Sequence, residues 1–210
     1  SVDDPEVKYG LAVSGLVDPD SFAANTNLEP GQTLVLTKSL GTGILATAVK
    51  AGWDGADELE QSLVANSARL NAAPALVIRE LKLKAATDVT GFGLGGHLLE
   101  MAAASNVRVR IEAEALPALP RVLELAGVGL LPAGSHANKR YRQPDTFVGP
   151  GVNPLRVDLA FDAQTSGGIV LALHPGQVDA ALTLLKEHGE AGHVIGSVLP
   201  FDKGHRLHIV

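Results

Sequence analysis

The pattern of apolar and polar positions divides the chain into short strands and amphipathic helices. Runs rich in Val, Ile, Leu and Thr that end at Gly, Pro or Asp predict strands, at residues 8–17, 33–37, 84–87, 107–111, 169–173, 193–199 and 206–210, the last as an edge strand. Apolar residues three or four positions apart predict helices, at residues 44–50, 58–70, 74–81, 93–106, 117–126 and 175–188. Strands and helices follow one another without a strict βαβ period, which favours an α+β fold with helices packed on a mixed sheet.

Residues 130–153 do not share this periodicity. The stretch is rich in Gly, Pro and basic residues. Such composition is typical of a long ordered or semi-ordered loop, and loops of this length are usually functional or mobile.

Composition narrows the class of protein. The chain has 210 residues, of which 46% are hydrophobic and 19% charged, as in soluble globular domains. A net charge of −6 provides no basic patch for phosphate backbones, so we expect no nucleic-acid partner. No apolar run is long enough to cross a bilayer, and a cytoplasmic protein without a membrane partner is expected. The absence of cysteine excludes disulfides, zinc thiolates and cysteine nucleophiles within the chain.

The most informative segment is a glycine-rich turn between a predicted strand end and a predicted helix, residues 86–101. Free N–H groups and the positive end of the helix dipole at such a place suit a phosphate. Asp88 lies just before the turn, where a carboxylate can hold Mg²⁺ against phosphates. The alternative is that Asp88 or Thr90 only caps the helix.

Two further turns can meet an anion. In residues 162–168, Gln, Thr and Ser precede two glycines and can donate hydrogen bonds, although a plain polar turn is the alternative. Residues 38–43 can likewise cradle phosphate, but their spacing is not that of a P-loop.

Histidines and basic residues give weaker signals. We interpret His97 as a helix residue with a local hydrogen bond rather than a ligand. A basic cluster in the predicted loop either meets an anion or forms a solvated face; it consists of His136, Lys139, Arg140 and Arg142.

Taken in order, these segments resemble the selenophosphate synthetases (selenide, water dikinases), within the superfamily of aminoimidazole ribonucleotide synthetase. The resemblance rests on DDPEVKYGLAVSGLV, TLVLTKSLGTGILATA, ATDVTGFGLGGHLLEMA, AGSHAN, DAQTSGGIVLAL and HVIGSV. It implies a three-layer domain like the carboxy-terminal domain of that synthetase over residues 22–210. Residues 1–21 are then a linker or strand from an amino-terminal domain.

The resemblance also implies an activity. It points to an enzyme that makes selenophosphate, AMP and phosphate from selenide, ATP and water, with Mg²⁺ as cofactor and a homodimer as the assembly. Asp88 matches the metal-binding aspartate of the family, while Thr90, Gly91 and Gly93 would face phosphate. No catalytic residue is expected in this chain, because the family carries its reactive cysteine or selenocysteine and an essential lysine in the amino-terminal domain. The chain alone is therefore expected to be inactive.

Two positions depart from the family pattern. Ser39 stands where the family usually has proline, which could loosen the glycine turn, and Gly95 replaces a common leucine, which lowers helix propensity by up to about 1 kcal/mol. Two other functions therefore stay open: another ATP-dependent enzyme of the same superfamily, and a non-catalytic binding or dimerisation module.

Overall fold

The structure is a computed structural model that describes residues 12–19 and 22–210. Seven strands in this part of the chain form one sheet, namely β1 (Thr33–Leu36), β2 (Ala86–Asp88), β3 (Val107–Ile111), β4 (Thr146–Val148), β5 (Ile169–Leu173), β6 (His193–Pro200) and β7 (Leu207–Ile209). The described residues also contain eight α-helices, namely α1 (Thr42–Lys50), α2 (Ala56–Ala68), α3 (Ala72–Glu80), α4 (Gly93–Ala104), α5 (Val122–Gly127), α6 (Ala133–Arg142), α7 (Pro154–Ala160) and α8 (Val178–Glu187). None of these helices is both long and apolar enough to cross a bilayer.

The strands lie in the order β2-β5-β1-β6-β3-β7-β4. The β3–β7 and β7–β4 pairs are parallel, and the others are antiparallel. The predicted α+β class with a mixed sheet is therefore confirmed.

Helices cover both faces of the sheet because successive strand side chains point in opposite directions. In β1, Leu34 and Leu36 belong to the larger core, which also contains side chains of α1, α4, α5 and α7. Val35, between them, packs in a second core with Val77 of α3 and Leu185 of α8. The result is the expected three layers of helix, sheet and helix.

Most predicted elements are present, with ends displaced by a few residues. Strands β1, β3, β5 and β6 and helices α1 to α4 and α8 coincide with the segments that the apolar spacing indicated. Asn106 follows α4 with a φ of 51°, the left-handed conformation expected of a residue at a helix end.

The predicted helix at 117–126 is shorter than expected. It begins only at Val122, because the backbone before it pairs with Leu40: the Leu40 N–H donates to Pro117 O at 2.8 Å, and the Leu119 N–H donates to Leu40 O at 2.9 Å. These two bonds engage both the N–H and the C=O of Leu40, and they fix the turn that follows Ser39.

The predicted strand at 8–17 is not found in its described part. Residues 12–17 lie in no strand, and the side chains of Val13 and Leu16 are exposed. Residues 8–11 lie outside the described residues. The domain boundary at residue 21 stays a prediction.

The predicted loop at 130–153 is wrong, since this stretch contains α6 and β4. The inward face of α6 is polar, and a search for apolar periodicity therefore passes over it. β4 pairs with β7, so the predicted edge strand at 206–210 is an inner strand and β4 is the edge. Helix α7 was not predicted from the sequence.

Gly95 has a packing role that its helix propensity did not predict. A Cβ atom at this position would lie 2.6 Å from a ring carbon of Phe161, whose side chain is 1% exposed. The close approach of α4 to this ring therefore depends on glycine.

Candidate active site

The three glycine-containing motifs meet at the amino-terminal ends of α1 and α4. We call residues 88–93 the phosphate loop and residues 162–168 the capping loop. The Val89 N–H donates to Gly168 O at 2.9 Å, and the Gln164 N–H donates to Thr90 O at 3.1 Å. These bonds tie the capping loop to the phosphate loop along both backbones.

The capping loop occupies the donors at the start of α1. Gln164 Oε1 accepts hydrogen bonds from the N–H groups of Gly41 (3.1 Å) and Thr42 (3.3 Å). Asp162 Oδ2 accepts from the N–H groups of Gly43 (3.1 Å) and Ile44 (3.4 Å). Residues 38–43 therefore do not offer these N–H groups to a phosphate, because the chain supplies its own acceptors. The sequence predicted the Gln, Thr and Ser side chains of the capping loop as donors, whereas toward α1 Gln164 is an acceptor, together with Asp162, and its Nε2 donates within the loop.

Asp162 is a fully buried carboxylate. Its Oδ1 accepts from the Ser135 hydroxyl at 2.9 Å, and its Oδ2 accepts from Gln164 Nε2 at 2.9 Å. Burial raises the pKa of Asp162 to about 6, although the hydrogen bonds from Ser135, Ile44, Gln164 and Gly43 act in the opposite direction. Burying the charge of the Asp162 carboxylate therefore costs folding free energy, which offsets part of the stabilisation that the cap on α1 provides.

Asp162 is expected to make the free energy of unfolding fall as the pH rises from about 4 to about 6. In the unfolded chain its pKa is about 3.9, and in the folded chain about 6. Between these values the folded state binds the proton more tightly, and above pH 6 it holds a buried charge. The loss is at most roughly 3 kcal/mol. Urea unfolding at about pH 4 and about pH 7 measures this loss. The quantity to compare between the two pH values is the free energy of unfolding of the wild type minus that of Asp162→Asn.

The asparagine variant is the matched reference for this prediction. Its side-chain amide keeps an oxygen facing α1 but does not ionise, so the stability of Asp162→Asn lacks this pH dependence. If the wild type instead gained stability relative to Asp162→Asn as the pH rose, the hydrogen bonds would outweigh the cost of burial.

Lys38 fixes the capping loop from its other side. The side chain is 2% exposed, and its Nζ donates to Ser166 O at 2.9 Å and to Arg69 O at 2.6 Å. Burial, together with the charge of Arg69, lowers the pKa of Lys38. This lysine thus joins the end of β1, the end of α2 and the capping loop.

The phosphate loop begins at Asp88, the last residue of β2. Its carboxylate is exposed and has no hydrogen-bond or ion-pair partner among the described residues. No side chain of the described residues caps α4, so the alternative in which Asp88 or Thr90 serves as a cap is not observed. In the same part of the chain, the N–H groups of Gly91 and Phe92 have no protein acceptor among the described residues.

Thr90 and Gly93 are the other two residues predicted to face phosphate, and their N–H groups already donate to acceptors within the protein. The N–H and the hydroxyl of Thr90 both lie near His97 Nε2, at 3.2 and 3.0 Å. The Gly93 N–H donates to Thr90 O at 3.0 Å. Gly93 has a φ of +70°, and a Cβ atom there would lie 2.7 Å from the carbonyl carbon of Phe161, so the loop requires glycine at this point.

His97 makes the local hydrogen bonds that its position predicted. Since its Nε2 accepts from the Thr90 N–H, the ring proton lies on Nδ1, which faces Glu100 Oε2 at 3.3 Å. Arg142 contacts the other oxygen of Glu100 at 3.2 Å. These contacts, from Thr90 through His97 and Glu100 to Arg142, link the phosphate loop to α6.

The basic cluster on α6 does not converge on a common point. Lys139 pairs with Asp158 at 2.6 Å and Arg142 with Glu100, whereas His136 and Arg140 are exposed. Asn138, which the sequence did not single out, donates from Nδ2 to Gly91 O at 2.7 Å. Asn138 ends the segment AGSHAN, which entered the family resemblance without a role for any of its residues.

Asp88 and Gly91 line two neighbouring surface concavities rather than one. The larger, about 650 Å³, is lined by Gly91, by α1 and by the start of α6. The smaller, about 440 Å³, is lined by Asp88 and residues of β2, α3 and 23–25. Within residues 12–19 and 22–210, no three His, Asp or Glu side chains are close enough to hold a metal ion together.

Comparison with known proteins gives curated relatives with high identity. A protein of Nitratidesulfovibrio vulgaris (strain DSM 19637 / Miyazaki F) named "Selenide, water dikinase" is 59% identical over 208 residues, which are 99% of this chain and 59% of the relative. A protein of the same name from Pelobacter propionicus is 42% identical over 95% of this chain and 57% of its own length. The chain thus spans less than two thirds of these relatives.

Solved structures share the fold at lower identity. Thiamine-monophosphate kinase from Stenotrophomonas maltophilia K279a superposes with a TM-score of 0.62 at 18% identity, over 92% of this chain and 54% of that one. The E. coli hydrogenase maturation protein HypE gives 0.58 at 20% identity, over 88% and 48%. The family described as "AIR synthase related protein, C-terminal domain" matches residues 29–207. The chain therefore belongs to the AIR synthase related proteins and corresponds to their C-terminal domain.

Proposed function

We propose that this chain is the carboxy-terminal domain of a selenide, water dikinase, which forms selenophosphate, AMP and phosphate from selenide, ATP and water. The observation that carries the proposal is the 59% identity to a relative of that name over nearly the whole chain. Residues 22–210 would form this domain, and residues 1–21 would link it to an amino-terminal domain.

Asp88 would contribute one ligand to Mg²⁺. Its exposed carboxylate has both oxygens free for a hard cation, which prefers carboxylates, phosphates and water. Mg²⁺ would neutralise charge on the phosphates of ATP. One carboxylate is a poor magnesium site by itself, so the remaining protein ligands would come from the amino-terminal domain.

The phosphate loop would hold a phosphate group of ATP beside that metal. The free N–H groups of Gly91 and Phe92 lie at the uncapped start of α4, where the helix dipole favours an anion. Thr90 and Gly93 would act by setting the shape of the loop, since their own N–H groups are engaged.

The nucleophile would lie outside this chain, because the sequence has no cysteine. We also propose a homodimer in the cytoplasm, on the strength of the family resemblance. The net charge of −6 supports the absence of a nucleic-acid partner.

The test joins this chain to the amino-terminal segment of the Nitratidesulfovibrio vulgaris relative and follows ATP by ³¹P NMR. The fused protein is expected to produce AMP and selenophosphate only when selenide is present, and the 210-residue chain alone should produce neither. Calorimetric titration of the chain alone with Mg·ATP should show only weak binding.

The two alternatives give different results in the same assay. AMP formation at the same rate without selenide would indicate another ATP-dependent enzyme of the superfamily. A folded fusion that consumes no ATP would indicate a non-catalytic module.

A further inference from the structure

We propose that Asn138 is a positioning residue that orients the phosphate loop for its anion. The inference rests on the proposed function and adds a role for α6, which has none there. It concerns the peptide unit between Gly91 and Phe92, whose N–H group belongs to Phe92.

In a trans peptide unit the C=O and the following N–H point in opposite directions. The structure contains no cis peptide bond in the described residues. Fixing a carbonyl oxygen therefore fixes the direction of the next N–H. Thr90 O accepts from the N–H groups of Gln164 (3.1 Å) and Gly93 (3.0 Å), which sets the direction of the Gly91 N–H.

The carbonyl of the next peptide unit has one such contact among the residues that the structure describes. Gly91 O accepts from Asn138 Nδ2 at 2.7 Å, and this bond sets the direction of the Phe92 N–H. Gly91 has no Cβ, and nothing lies within 4 Å of where one would be. Gly91 therefore offers little steric resistance to rotation of this peptide unit, and Asn138 supplies the hydrogen bond that fixes its carbonyl.

Helix α6 is itself fixed at several points near Asn138. One turn earlier, the Ser135 hydroxyl donates to Asp162, and one residue later Lys139 pairs with Asp158 at 2.6 Å. Asn138 Nδ2 also lies 3.4 Å from Phe161 O. Because these contacts hold α6 in place, the Asn138 amide has a fixed position, and the loop is pre-organised before any anion binds.

The informative substitution is Asn138→Asp in the 210-residue chain. Aspartate has nearly the same shape, but it turns an acceptor toward Gly91 O and so favours rotation of the peptide unit. Titration with magnesium pyrophosphate, followed by ¹H–¹⁵N NMR, should shift the Gly91 and Phe92 amides of the wild type. The variant should bind about tenfold more weakly or worse. Its ligand-free ¹⁵N relaxation should show added motion at the Phe92 amide, whereas the Gly91 amide, held through Thr90 O, should relax as in the wild type.

Asn153→Asp is the matched control, since it makes the same change at an exposed residue whose side-chain oxygen caps α7, a role that aspartate fills equally well. This variant should bind like the wild type, and thermal unfolding of both variants should show an intact fold. Wild-type binding and unchanged relaxation in Asn138→Asp would overturn the role of Asn138 and leave the proposed function standing. A wild type whose Gly91 and Phe92 amides do not respond to pyrophosphate would overturn the anion-binding role of the phosphate loop, and with it that of Asn138, whereas selenide-dependent AMP formation by the fusion tests the dikinase assignment separately.

Discussion

Replacing Gly167 with alanine is expected to destabilise the chain strongly. A Cβ atom at this position would overlap the carbonyl oxygen of Val89 and lie 3.1 Å from Cβ of Gln164. Val89 is fully buried, and its N–H is bound to Gly168 O, so the phosphate loop has no room to retreat. Overpacking of this kind costs about 1–3 kcal/mol or more, and we expect a loss above about 3 kcal/mol. Whole domains are stable by only about 5–15 kcal/mol, so urea unfolding will show a clear decrease in the free energy of unfolding.

Gly134→Ala is the matched control for this experiment. Gly134 lies in α6, where a Cβ atom would meet nothing within 4 Å, and its φ is not positive. Alanine there should leave stability unchanged or raise it by up to about 1 kcal/mol. If Gly167→Ala were within about 1 kcal/mol of the wild type, the two loops would not interlock as rigidly as their backbone contacts indicate.

Apolar spacing was sufficient to predict most of the sheet and the helices on it. β1 alternates between two cores, and α8 places Ala181 and Leu185 inward at helical spacing, so both have the periodicity that such predictions use. Helix α6 lacks this apolar periodicity, because its inward side chains are polar. They bind polar groups elsewhere in the chain and are Ser135, Asn138 and Lys139.

The candidate site could be located from the sequence but not described in detail. Asp88 ends a strand and Gly91 precedes a helix, and local pattern alone places them there. The cap on α1 depends on Asp162 and Gln164, which are distant in sequence from Thr42 and reach it only through the tertiary fold. The contact between Asn138 and Gly91 is of the same kind.

Changing Asp88 to asparagine is expected to lower selenide-dependent AMP formation by at least roughly 100-fold in the fusion with an amino-terminal segment. Asparagine keeps the shape of the side chain but removes the negative charge that a hard cation prefers. The free energy of unfolding should stay within about 0.5 kcal/mol of the wild type, because Asp88 is exposed and unpaired among the described residues.

The most direct measurement is the dependence of AMP formation on Mg²⁺ concentration in the fused wild type, Asp88→Asn and Asp57→Asn. Asp57 is an exposed carboxylate on α2 and serves as the charge-matched control. We expect Asp88→Asn to need far more Mg²⁺ for half-maximal activity, while Asp57→Asn behaves as the wild type. An Asp88→Asn protein with wild-type activity and wild-type Mg²⁺ dependence would contradict the assignment of Asp88 to the metal site.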